Sequence, residues 1–338
     1  MIANRTVSHP QPPLFAQGGL YCANARFPHT LTCPMRHLTV PEDLTPAEID
    51  AIFAISRDLE EKYAAGRRDA LLPGRVLALV FEKPSLRTRV SFEAAMTHLG
   101  GSSLFLGEDS GFATSRESIA DFGRVLGGYV DAIVCRAKRH ETVQELAAVA
   151  GVPVINGLSD LAHPCQALAD VYTLRREVGR LKGLTLTFVG DGNNVARSLA
   201  VVCGLLGMRF VLAAPREFQF DDAFRSHLRA ILPEADITET ADPVAAVTGA
   251  AAVYTDVWAS MGQESERAAR KKAFAAYQVN EALMAHCPDA VFMHCLPARR
   301  GEEVTDGVID GPKSVVLPQA AARMHVQKGL LAWLLGHA

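Results

Sequence analysis

No two of the seven cysteines in this chain (Cys22, Cys33, Cys135, Cys165, Cys203, Cys287 and Cys295) are spaced as a CxxC pair. That argues against a zinc ribbon, and a scattered, odd-numbered set argues against a disulfide framework. A reducing compartment is implied, and the cytoplasm is the expected location. No apolar stretch approaches the roughly 20 residues that cross a bilayer, so no membrane partner is expected. Basic excess is missing too: the formal net charge is -3 with a pI near 6.4, and no run of like charges forms a tail. Nucleic acid is therefore not an expected partner. Asp and Glu are absent from the first 34 residues, which instead hold Pro10, Pro12, Pro13, Pro28 and Pro34. Residues 1–34 are expected to be a disordered extension, with the folded protein starting at Met35.

What is present is a chain of 338 residues, 49% hydrophobic, long enough for two packed domains. Thr45 and Glu48 form a capping box that opens a first helix. Strand and helix patterns then alternate as a parallel sheet with helical crossovers requires. VLALVF is a strand, followed by a helix from Ser91; ESIADFGRVLGGYV and TVQELAAVAG are helices, and DAIVCRA and VPVIN are strands. HPCQALADVYTLRREVG reads as a long amphipathic helix. A second series follows, with strands LTLTFVG, FVLAAP, AAVYTD and AVFMHC and helices NVARSLAVVCGLLG and DDAFRSHLRAIL. The fold class is α/β, with two doubly wound parallel-sheet domains and the active site in the cleft between them. The expected domains are 35–168 and 169–315, with a final helix over 316–338 that packs back on the first domain.

Ligands of open parallel sheets bind beyond the carboxyl ends of the strands, and those positions are polar here. After VLALVF comes KPSLRTR, where a helix start offers free N–H groups, Ser85 and Thr88 offer hydroxyls, and Arg87 offers a planar fork suited to phosphate. Taken alone, the stretch reads equally well as a capped helix with two solvated arginines. Arg136 follows DAIVC, and His163 and Gln166 follow VPVIN. The second half offers Asp191, Asn193 and Asn194, then Asp256 with Ser260, then Cys295. Each has a bland alternative: a solvated charge for Arg136, a helix cap for His163, a core thiol for Cys295. His294 and Cys295, adjacent in a strand, should point to opposite faces and not share a metal. GDGNNV departs from the dinucleotide fingerprint at Val195, and no acidic residue closes the next strand, so a nicotinamide dehydrogenase is a poor second hypothesis.

From Met35 onward, KPSLRTRVSFE, HPCQ at 163–166, VGDGNN, DVWASMG at 256–262 and FMHCLPARRGEEVTD at 292–306 follow one order and spacing. The chain resembles the ornithine carbamoyltransferases. The resemblance implies transfer of the carbamoyl group of carbamoyl phosphate to L-ornithine, giving citrulline, within arginine biosynthesis or its catabolic counterpart. It assigns carbamoyl phosphate to the first domain and ornithine to the second. It implies a phosphate site at Ser85, Leu86, Arg87 and Thr88 and an oxyanion site at Arg136 and His163. The carbamoyl nitrogen would go to Gln166 and the carbonyls of Cys295 and Leu296, with Arg323 closing the pocket. Asn194, Asp256, Ser260 and Met261 would take ornithine, and Cys295 and Asp256 join Arg136 and His163 as the catalytic set. No cofactor and no metal are implied. The partner implied is the chain itself, as a homotrimer or a multiple of trimers.

Two departures stand out. Leu86 replaces the family's usual threonine, so one hydroxyl contact to phosphate is lost while the backbone N–H remains. The segment that trimers of the family lend to a neighbour reads SGFATSRES here, with Phe112 and Ser115 nearest the usual positions and Arg116 the nearest cation. Carbamoyltransferases for aspartate, putrescine or N-acetylornithine are the alternatives, but none has a matching SMG segment. A non-catalytic relative would be expected to lose Arg87, His163 or Cys295, and all three are present. Arg87→Lys is expected to fold and to bind carbamoyl phosphate more weakly, because a point charge cannot reproduce a bidentate contact. Unchanged affinity in direct binding would rule out the phosphate assignment.

Overall fold

The computed structural model describes residues 35–108, 112, 117–259 and 264–336; the expectation for residues 1–34 lies outside that set. In the first half the elements run α1 (Pro46–Ala64), β1 (Val76–Phe81), α2 (Leu86–His98), β2 (Ser102–Leu106), α3 (Ile119–Gly127), β3 (Ala132–Arg136), α4 (His140–Val149), β4 (Val154–Leu158) and α5 (Pro164–Val178). The second half holds β5 (Thr185–Val189), α6 (Asn194–Leu205), β6 (Arg209–Ala213), α7 (Asp222–Ile231), β7 (Ile237–Thr240), α8 (Pro243–Val247) and β8 (Ala252–Thr255). It continues with α9 (Arg267–Ala273), α10 (Glu281–Met284), β9 (Val291–His294), α11 (Asp306–Ile309) and α12 (Val316–Leu334).

The strands form two wholly parallel sheets, ordered β2-β1-β3-β4 and β7-β6-β5-β8-β9. In each order the chain reverses direction of growth once, between β1 and β3 and between β5 and β8. Those are the topological switch points at which α/β sheets leave a crevice for ligands. Alternation along β1 divides the packing: Leu77, Leu79 and Phe81 face one cluster, Ala78 and Val80 the other. The larger cluster continues through α5 and α12 into the second sheet, reaching Phe188 and Tyr254.

Three sequence expectations need correction. Helix α2 starts at Leu86, not Ser91, because Ser85 Oγ accepts the Thr88 N–H at 3.4 Å and caps it there; Arg87 and Thr88 thus sit in its first turn. Strands β2 and β7 were not expected. Both lie at sheet edges and are partly exposed along their length, so SSLFL and ITET lack a buried strand's apolar run. Helix α5 is not amphipathic: every residue from Pro164 to Leu174 is buried, since α12, α6 and β4 all pack around it.

Helix α12 lies against α1, α5 and α2. A Cβ at Gly329 would fall 2.1 Å from Ser56 Oγ and 2.7 Å from the Ile52 carbonyl oxygen of α1, so the two helices cross where only glycine fits. Gly329→Ala should destabilise the protein by about 1–3 kcal/mol through overpacking. The urea unfolding midpoint reports it, and an unchanged midpoint would mean that the crossing has room to spare.

Candidate active site

Both switch points open onto one cleft of about 990 Å³, a size typical of small-molecule sites. Ser85, Leu86, Arg87, Thr88, Arg136, His163, Gln166, Asn194, Asp256, Cys295, Leu296 and Arg323 all line it. Ser260 and Met261 lie outside the described residues, as do Ser115 and Arg116.

At the N-terminus of α2, the capping oxygen of Ser85 takes the Thr88 N–H. The earlier first-turn N–H groups, of Leu86 and Arg87, have no acceptor among the described residues, and they are the orphan donors every helix start carries. Two guanidiniums converge on the buried Thr88: Arg136 Nη1 reaches its Oγ1 at 3.5 Å and Arg323 Nη2 at 3.3 Å. Neither arginine forms an ion pair with a carboxylate among the described residues. Both are buried, at 6% and 3% exposure, and the Nε of each has no partner. Burial, with Arg323 and Arg87 nearby, pulls the Arg136 pKa down to about 10. The same surroundings act on His163: burial first, then Arg323 and Arg136, push it well below the ordinary histidine range, so the imidazole is neutral at pH 7. His163 occupies the N-cap of α5 but makes no side-chain cap bond, so the cap alternative does not describe it. Its backbone N–H is held by Ser198 Oγ at 2.8 Å, and its Nδ1 has no partner. The whole corner is a buried concentration of positive charge and open donors, built for an anion.

Behind it lies a carboxylate that sequence reasoning missed. Asp170 of α5, fully buried, accepts from Gln166 Nε2 and Gln319 Nε2, both at 2.7 Å, and from Tyr254 Oη at 3.0 Å. Burial raises its pKa to about 6 against the pull of those donors, and it remains ionised at neutral pH. A signal was available: Asp170 stands four residues after Gln166 on one helix, hence on the same face.

The opposite wall is built on the second sheet. Asn193 caps α6 with its side-chain oxygen, taking the N–H groups of Val195 and Ala196, and its amide nitrogen donates to Asp256 Oδ2 at 3.1 Å. Asn194 Nδ2 donates to the Ser159 carbonyl at 2.6 Å, tying α6 to the loop after β4. The Cys295 thiol donates to Asp256 Oδ1 at 3.2 Å. Burial and the neighbouring Asp256 carboxylate push that thiol well above its usual range, so it is protonated. Leu296 is in the left-handed region, with φ 57°, a cost of about 1–3 kcal/mol for a side-chain-bearing residue. Its N–H donates to His294 Nδ1 at 2.8 Å, and His294 Nε2 faces the buried Glu303 at 3.2 Å.

The expectation that His294 and Cys295 diverge is overturned, because β9 ends at His294 and the chain turns. Ligand atoms of Asp256, His294 and Cys295 lie within 4.8 Å of one another. Both ring nitrogens of His294 are already engaged, however, and the cluster does not offer a free imidazole for a metal.

The family described as aspartate/ornithine carbamoyltransferase matches twice, its carbamoyl-P binding domain over residues 36–176 and its Asp/Orn binding domain over residues 182–334. The chain is 49% identical over 304 residues to the ornithine carbamoyltransferase of Pyrococcus abyssi, covering 89% of this chain and 96% of the relative. It is 46% identical over 303 residues to that of Bacillus subtilis, covering 89% and 94%. The solved ornithine carbamoyltransferase of Pyrococcus furiosus superposes with a TM-score of 0.87 at 47% identity, covering 91% of this chain and all of that one.

The protonated thiol generates a prediction. Iodoacetamide should alkylate Cys295 slowly at neutral pH, with Cys295→Ser supplying the background from other thiols. Asp256→Asn removes the negative charge that disfavours the thiolate, lowering the thiol pKa and raising the alkylation rate at fixed pH by about threefold for a shift of one unit, the gain in thiolate being partly offset by its lower nucleophilicity. An unchanged rate would mean that Asp256 does not control the thiol.

Proposed function

The chain belongs to the aspartate/ornithine carbamoyltransferase family, and on that premise we propose that its cleft transfers the carbamoyl group of carbamoyl phosphate to the δ-amine of L-ornithine, giving L-citrulline and phosphate. One observation carries the anion half of this reading: Arg136 and Arg323 are buried together without a carboxylate partner among the described residues. The phosphate is assigned to the N–H groups of Leu86 and Arg87, the Arg87 fork and the hydroxyls of Ser85 and Thr88. The carbonyl oxygen goes to Arg136 and the neutral His163, the carbamoyl nitrogen to Gln166 Oε1 and the carbonyls of Cys295 and Leu296, beside Arg323. Ornithine is assigned to Asn194 and Asp256, with Ser260 and Met261 completing its site.

The δ-amine attacks only when neutral, yet in water its pKa is near that of lysine, ~10.4. Asp256 receives and orients the arriving ammonium; the proton it sheds before attack goes to solvent, because the Cys295 thiol is already protonated, and the thiol sulfur can then accept an N–H of the neutral amine. Attack on the carbamoyl carbon forms the C–N bond and throws charge onto the carbonyl oxygen, where Arg136 and His163 hold it. Collapse breaks the C–O bond to phosphate, which leaves toward Arg87 and takes up the amine proton. A neutral imidazole suits this role, since it donates a hydrogen bond without drawing a second anion into the site.

A homotrimer is part of the same reading. Leu86, Val90 and Leu104 are exposed at 76%, 51% and 48% on α2 and the edge strand β2, two elements that pack together in the half that carries the phosphate site. Exposed apolar groups beside an unpaired sheet edge are surfaces that soluble proteins cover. The cytoplasm and arginine metabolism are the proposed setting, consistent with free thiols at all five described cysteines. Initial rates with ornithine, putrescine, aspartate and N-acetylornithine side by side test the function. Citrulline formation should lead in kcat/KM, and a higher value with any other acceptor would reassign the substrate.

A further inference from the structure

Gln166 has two ends, and only one way round serves a carbamoyl group. A carboxamide turned with its NH2 toward the cleft would offer donors to a substrate NH2 that also has only donors. Turned the other way, it offers an oxygen. Side-chain amides flip readily unless their partners are of fixed polarity. Here they are: Arg323 can only donate, and its Nη1 is bonded to Gln166 Oε1; the Asp170 carboxylate can only accept, and it takes Gln166 Nε2 at 2.7 Å. The reversed amide would set donor against donor and acceptor against acceptor in a site where Gln166 is 1% and Asp170 0% exposed.

The same carboxylate reaches the other acceptors. Gln319 Nε2 donates to Asp170 Oδ1 at 2.7 Å, and its Oε1 accepts the His294 N–H at 2.9 Å. That fixes the end of β9 directly ahead of the carbonyls of Cys295 and Leu296. Tyr254 Oη, on β8 two residues before Asp256, is the third donor, at 3.0 Å. We infer that Asp170 is a positioning residue for specificity: it sets Gln166 and the Cys295–Leu296 turn so that three oxygen acceptors meet the carbamoyl NH2. This rests on the assignment of Gln166 to the carbamoyl nitrogen made above. Its consequence is selection of the donor substrate, a carbamoyl phosphate over an acyl phosphate of the same shape with a methyl in place of NH2, because buried acceptors left unpaired reject the analogue.

The test measures KM for carbamoyl phosphate together with inhibition constants for acetyl phosphate and inorganic phosphate. Asp170→Leu should raise KM about tenfold, the loss of one oriented hydrogen bond, with both inhibition constants staying within about twofold. Asp170→Asn should recover most of the loss seen with Leu, since its oxygen can accept from both glutamines while its NH2 donates to Tyr254. A folded Asp170→Leu enzyme with unchanged KM overturns the inference, and so does a parallel rise in all three constants. Gln166→Met separates the two levels. If it leaves KM unchanged, the assignment of Gln166 fails and this inference with it; if it raises KM while Asp170→Leu does not, only the inference falls. Should Asp170→Leu fail to fold, an isosteric exchange replaces it. Gln166→Glu alone, carboxylate against carboxylate, should lose affinity for carbamoyl phosphate, and adding Asp170→Asn should restore it by returning a donor to the shared bond. No recovery in a folded double variant overturns the inference.

Discussion

Burying Arg136 and Arg323 side by side, with only neutral oxygens to receive them, is the constraint from which the rest of the site follows. Desolvating a guanidinium costs several kcal/mol per ion even after relaxation, and Thr88 Oγ1 and Gln166 Oε1 return only part of that. The unreturned part becomes affinity for an arriving dianion, the one ligand that would satisfy both cations and the open N–H groups of α2 at once. Burial first, and then the same charge, keeps His163 neutral. That charge also accounts for the distance of the negative groups. Asp170 stands behind Gln166, and Asp256 lies on the other sheet, so neither cancels the cations by direct pairing.

Such a corner needs a rigid frame, and the two sheets supply one. Each presents a switch point, and the helices between them are not surface elements. Helix α5 is enclosed on every side through Leu174, which is why Gln166 and Asp170 can be held in a fixed register. Asn193 and Asn194 show how neighbouring side chains divide the work of the frame. The first orients Asp256 while capping its own helix, and the second reaches across to the Ser159 carbonyl. The same two side chains thus fix the backbone and the walls of the cleft.

How much of this could be read in advance follows from where each signal resides. Strands buried along nearly all their length, such as VLALVF, announce themselves by composition, and the polar residues at or past the strand ends, Arg87, Arg136, His163 and Asp256, were legible because parallel sheets leave their crevice there. Edge strands β2 and β7 were not, since a strand paired on one side need not be apolar. The convergence of His294 and Cys295 was hidden because alternation holds only inside a strand, and this one stops a residue early. Asp170, Gln319 and Tyr254 were missed for a different reason. They touch one another from three elements far apart in sequence, and in α5 the aspartate reads as one more polar residue of an ordinary helix.

The placement of α12 has a consequence for how the protein is made. This helix follows the whole second sheet in the chain, yet it packs on α1, α2 and α5 and carries Arg323 into the first half. At typical elongation rates, roughly 8–30 s separate the synthesis of α5 from that of α12. During that interval the nascent first half has its strands but lacks the helix that covers α1 and α5, and their apolar faces stay open. The first half, made first, thus finishes its packing only when the last helix arrives, and the end of β9, held by Gln319 of α12, waits for the same helix.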